Sequence, residues 1–184
     1  LVGGFGFAGM FAYIANSPFV LIELHGVRPE SFGWLFGVVA FGYVAASQIN
    51  ARLLNVAPPT RLLRVAVRGP ALAGLLLALG EPLVGPSLPW VMAGFFVYVA
   101  SMGFIGPNAA AAALATHGQM AGKASALMGS LQFGLATLAG GLVGLWHDGG
   151  TRPLVVIMAL GGIGAWLALR WVEARLPRGR RPRP

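Results

Sequence analysis

The sequence predicts an all-α membrane protein with six transmembrane helices. Three observations carry that prediction. Of 184 residues, 57% are hydrophobic and only 10% are charged, and the mean hydropathy is +0.75. A water-facing domain of this length carries roughly a quarter charged residues. The hydrophobic residues fall into six runs, each near the ~20 residues that a helix needs to cross the hydrocarbon core. The basic residues gather in alternate connections between those runs, which is the pattern that orients membrane proteins.

Span one is expected over residues 1–24. It opens on Leu1-Val2-Gly3-Gly4, without an initiator Met or a basic leader, and its run is longer than the apolar core of a signal peptide. It is therefore read as a spanning helix whose start is a cut rather than a natural terminus. Span two is expected over 32–54, after Gly26-Val27-Arg28-Pro29-Glu30, where Pro and Glu mark a helix start. Span three, 65–84, is the least apolar, with Arg68 near its start and Glu81 near its end, and Ala57-Pro58-Pro59-Thr60 separates it from span two. Spans four, five and six are expected over 89–115, 121–146 and 153–172, with Gly85-Pro86 and His147-Asp148-Gly149-Gly150 as breaks. The 28 glycines suit helices that approach closely in lipid.

Direction follows from the arginines and lysine. Arg52, Arg61, Arg64, Arg68, Lys123, Arg170, Arg175, Arg178, Arg180, Arg181 and Arg183 fall on one side, and Arg28 and Arg152 on the other. The positive-inside rule puts the richer side, and with it both chain ends, in the cytoplasm. The net charge of +8 is thus topogenic, and no nucleic-acid partner is expected. The tail over 176–184 reads as a disordered cytoplasmic segment beside anionic lipid.

A faint internal symmetry is present. Asn16-Ser17-Pro18 in span one and Gly106-Pro107-Asn108 in span four are each followed by a connection and a Gly-rich helix that opens near Ser31 or Ser125. Two inverted three-helix repeats would produce this, the arrangement nested in each half of major-facilitator transporters.

Polar groups at membrane depth are the candidate site. Pro18 and Pro107 should free the carbonyls of Ile14 and Gly103 and bend their helices. Tyr13, Asn16 and Ser17 share one helical face, as do Ser101, Phe104 and Asn108. Two readings stand side by side: a substrate cavity lined by spans one and four, or amides that bond neighbouring helices. Met128 and Gln132 share a face of span five, where a pliable thioether suits an apolar site and equally suits ordinary packing. Gly33 with Gly37, and Gly140 with Gly144, have the spacing of helix contacts. Gln48 and Asn50, just before Arg52, read as interfacial anchors. Glu23, late in span one, is the proton-coupling candidate, against the plainer reading of a solvated helix-end carboxylate.

Other chemistries lack residues. Without cysteine there is no disulfide, thiolate nucleophile or Cys-based zinc site. His25 and His147 fall on the outer side and His117 on the inner, with no short ligand spacing, so no metal and no cofactor is expected. No nucleophile–base pair shares a depth, so an intramembrane enzyme is not expected. No acid or base sits at mid-membrane depth in any span.

Five collinear stretches together resemble the carboxy-terminal half of the Bcr/CflA-type drug-resistance transporters of the major facilitator superfamily. They run from Tyr13 to Leu21, from Gly26 to Gly37, from Gln48 to Leu53, from Gly103 to Ala109 and from Ala121 to Gly134. The resemblance implies a multi-pass antiporter of the bacterial inner membrane that exchanges protons for small drugs such as bicyclomycin or chloramphenicol. It implies a missing amino-terminal six-span half as partner, beside the lipid bilayer, and places the proton machinery mainly there. Spans one and four would line the cavity, two and five flank it, and three and six face lipid. Lys123 departs from the small residue expected at its position. The implied drug site comprises Tyr13, Asn16, Ser17, Phe104, Asn108, Met128 and Gln132. The rival expectations are an inactive truncated remnant and a six-span half-transporter that works only as a dimer.

Overall fold

Six helices long and apolar enough to cross a membrane run over Val2–Leu24, Pro29–Leu53, Pro59–Gly80, Leu88–Leu114, Ala121–Leu145 and Arg152–Arg175, and they are called spans one to six. The structure is a computed structural model. It describes residues 1–85, 87–115, 120–146 and 148–175, without the side chains of Glu81, Pro82 and Val84. His117, His147 and the tail over 176–184 lie outside the described residues.

Local chemistry sets the helix ends. Span two starts at Pro29, three residues before the first apolar residue, because Arg28 is extended (φ −62°, ψ 137°) and Pro29 fits the first helical position. Glu30 then faces the positive helix terminus. Span three likewise begins at Pro59, after an extended Pro58. That is earlier than hydropathy indicates, because its first turns are amphipathic, with Leu63 buried and Arg61 exposed. The helix is interrupted at Val67. Pro70 explains the break: it has no N–H to give the carbonyl of Ala66.

Span one changes register after its proline. Val2–Pro18 is α-helical and Phe19–Leu24 is a π-helical stretch. Ser17 Oγ lies 3.5 Å from the carbonyl of Ile14, the group that Pro18 cannot serve. The helix closes with Val27 N–H on the Leu21 carbonyl at 3.0 Å and Gly26 at φ +64°. Glycine takes this left-handed position at least cost. Span four, by contrast, runs through Pro107 without interruption.

The spans pack in a two-fold pattern. Span one lies against spans five and six, and span four against spans two and three; spans one and four touch, as do three and six. Exchanging one with four, two with five and three with six leaves these main adjacencies unchanged. A three-span unit has odd parity, so its second copy enters from the opposite side: the repeats are inverted. This is the architecture of half a major-facilitator fold.

Close backbone approach holds the pattern. A Cβ on Gly103 of span four would meet the Tyr43 carbonyl of span two at 2.5 Å, and one on Gly162 of span six would meet Pro70 of span three at 2.5 Å. Small residues permit such van der Waals contact where lipid gives no hydrophobic drive between helices. Gly33, Gly37, Gly140 and Gly144, in contrast, have nothing within 4 Å. Their expected role as helix contacts is not realised among the described residues, since their faces point away from the bundle. Spans two and five are the least enclosed and span one the most.

Candidate functional site

The polar residues of spans one and four divide into buried and open groups. Tyr13 is 1% exposed, with its ring stacked on Phe36 of span two (centroids 5.9 Å, planes 7° apart) and tilted against Phe95 of span four (4.7 Å). It therefore ties three spans together. Its hydroxyl is buried with no hydrogen-bond partner, and Ser17, one turn on, is also fully buried. Asn16 is half-buried, and its Nδ2 donates to the Ala12 carbonyl at 2.9 Å, within its own helix.

Asn108 is fully buried and donates from Nδ2 to Asn50 Oδ1 at 2.6 Å and to the Phe104 carbonyl at 2.8 Å. Asn50 is 1% exposed. The interfacial role expected for Asn50 is thus replaced by an amide clasp between spans two and four. The reason is rotational: Asn50 points at span four, while its neighbour Gln48 is exposed. Asn108 Oδ1 remains without a partner.

The remaining predicted residues lie elsewhere. Phe104 is half-exposed and shares its face with the exposed Pro107 and Ala111. Pro18 is exposed on span one. Met128 and Gln132 of span five help line a cavity of about 480 Å³ at the arginine-rich end, with Gly3, Gly4, Ala109 and Ala113. Glu23 is exposed, on the π-helical turn at the opposite end. Nearby, His25 Nδ1 lies 2.8 Å from the Val20 carbonyl, and the ring borders a second cavity of about 240 Å³. The predicted set is therefore not one pocket.

An aromatic row was missed. Phe7 and Phe11 of span one and Phe133 of span five form a chain, with centroids 6.5 and 5.7 Å apart. Phe7 and Phe11 share the open face of span one with Ile14 and Pro18. The i, i+4 spacing was visible in the sequence, but spacing alone does not tell an open face from a buried one.

This bundle of six apolar spans has counterparts among known transporters. Over 171 residues, 93% of the chain, it is 30% identical to the bicyclomycin resistance protein homolog of Haemophilus influenzae. The chain is homologous to major-facilitator transporters. It is also 32% identical over 158 residues, 86% of the chain, to the MFS-type transporter YdgK of Bacillus subtilis, and 27% identical over 92% of the chain to the multidrug transporter MdfA of Edwardsiella ictaluri. The chain spans 39%, 43% and 41% of the length of YdgK, the Haemophilus protein and MdfA. No family model matches the chain, and no solved structure matches it. The homology agrees with the resemblance carried by the five motif stretches. The chain is a multi-pass protein of a bacterial membrane.

Proposed function

We propose that the chain is the carboxy-terminal half of a transporter that exports small drugs across the bacterial inner membrane in exchange for protons. The observation that carries this reading is the match of 93% of the chain to a bicyclomycin resistance protein homolog. The inverted-repeat packing supports it, because such halves rock against each other about a central site.

In this reading the open faces of spans one and four form one wall of the drug cavity. Asn16, Phe104, Phe11 and Phe133 offer aromatic surface and an amide to a small apolar drug. Met128 and Gln132 extend the wall toward the arginine-rich end, which faces the cytoplasm by the positive-inside rule. Tyr13, Ser17 and Asn108 hold the wall in place from behind. Pro18 marks the change of register in span one, on the open side of the wall. Glu23, exposed at the outer end, is the proton-coupling candidate of this reading.

The unpartnered glycine faces of spans two and five suit close docking of a second six-span half. Expression of the complete reading frame in bacteria stripped of their own exporters tests the function. Tolerance to bicyclomycin should rise several-fold and collapse when the proton gradient is dissipated. Unchanged tolerance at good membrane expression would refute the reading.

A further inference from the structure

Spans three and six pack together and turn apolar faces outward. Leu72, Leu75 and Leu79 of span three are 56%, 53% and 45% exposed, and Leu160, Ile163 and Leu167 of span six are 58%, 44% and 53% exposed. Each face ends on an exposed arginine: Arg68 lies one turn before Leu72, and Arg170 one turn after Leu167. Because the spans run in opposite directions, both arginines stand at the same, arginine-rich end.

There they line one cleft with Arg64, Glu173 and Trp166, floored by Val67 and Leu169. Arg64 Nε donates to Glu173 Oε1 at 2.7 Å, so the single carboxylate of the cleft is already engaged. The Arg170 guanidinium sits 5.3 Å from the centre of the Trp166 ring. Three guanidiniums against one carboxylate leave an excess of positive charge. An indole at this level is typical of the membrane–water boundary.

We propose that this cleft seats the phosphate headgroup of an anionic phospholipid of the phosphatidylglycerol type, whose acyl chains lie along the leucine faces of spans three and six. The guanidinium fork matches phosphate oxygens, and Arg68 and Arg170 approach them from either side. The apolar faces run into the cleft without a polar gap, so one molecule satisfies both features. Free phosphate would use the arginines but leave the leucine faces without a role.

Tryptophan quenching by phospholipids brominated on the acyl chain tests this on the full-length protein in vesicles. The signal to follow is the component removed by Trp166→Phe. Brominated phosphatidylglycerol should quench it at several-fold lower mole fraction than brominated phosphatidylcholine. Arg68→Gln with Arg170→Gln should bring the two lipids to about equal quenching, since the attraction of each basic residue to an anionic lipid is about fivefold. The Arg68→Lys, Arg170→Lys pair should keep most of it, which separates charge loss from misfolding. Equal quenching by the two lipids would overturn the proposal without any variant. So would a preference that survives the glutamine pair, or one abolished by inorganic phosphate at unchanged ionic strength, which would mark a free-anion site.

Discussion

Asn50 of span two and Asn108 of span four meet in a buried hydrogen bond of 2.6 Å, between residues 58 positions apart. Removing one partner strands the other. Asn108→Leu should destabilise the protein by about 1–2 kcal/mol, the cost of an unpaired buried amide. The double change to leucine should cost less than the sum of the two single changes. The expected coupling is about 0.6 kcal/mol, the average for interhelical hydrogen bonds in membranes. Reversible unfolding in mixed micelles measures all four corners of the cycle, and strict additivity would show that the clasp contributes nothing as a pair.

Glycine positions should separate sharply. Gly103→Leu places side-chain atoms against the Tyr43 carbonyl and the Ser47 amide of span two, which are backbone groups that cannot swing aside. The expected loss is about 1–3 kcal/mol or more from overpacking. Gly37→Ala meets nothing within 4 Å in this chain and should stay within about 0.5 kcal/mol. Thermal unfolding followed by size-exclusion chromatography compares them, and similar losses at both sites would contradict the packing described.

The Arg64–Glu173 pair joins spans three and six at 2.7 Å, with side chains 30% and 24% exposed. At that exposure solvent screening keeps its worth below about 1 kcal/mol. Glu173→Gln should lower the unfolding temperature slightly, and less so in high salt. The Arg64→Glu, Glu173→Arg exchange should recover most of the loss. Failure of the exchange to recover any of it would assign the effect to packing of the arginine stem instead.

For transport, Phe11→Ala and Phe133→Ala should lower bicyclomycin tolerance several-fold while membrane abundance is unchanged. Leu79→Ala, on the outward face of span three, should leave tolerance alone. The readout is the inhibitory concentration in cells matched for expression. Equal effects at all three positions would mean that the aromatic row is not part of the drug wall.

The sequence by itself determined the number of spans, because crossing a bilayer is a question of length and composition that each segment answers alone. It also determined where prolines and glycines end the helices, as at Pro29 and Gly26, since those limits are set by φ angles and missing donors within a few residues. Homology confirmed the family resemblance read from five short stretches. What the sequence did not decide is which way each helix faces. In lipid, an apolar side chain is equally at home outside or inside, so hydropathy carries little rotational information. Tertiary packing alone turned Asn50 inward to Asn108 and enclosed Tyr13 between Phe36 and Phe95. It also left the paired glycines of spans two and five facing outward and brought three arginines from two distant spans to one cleft. Those outcomes depend on backbones that approach closely at Gly103 and Gly162, a property of pairs of helices that no single helix contains.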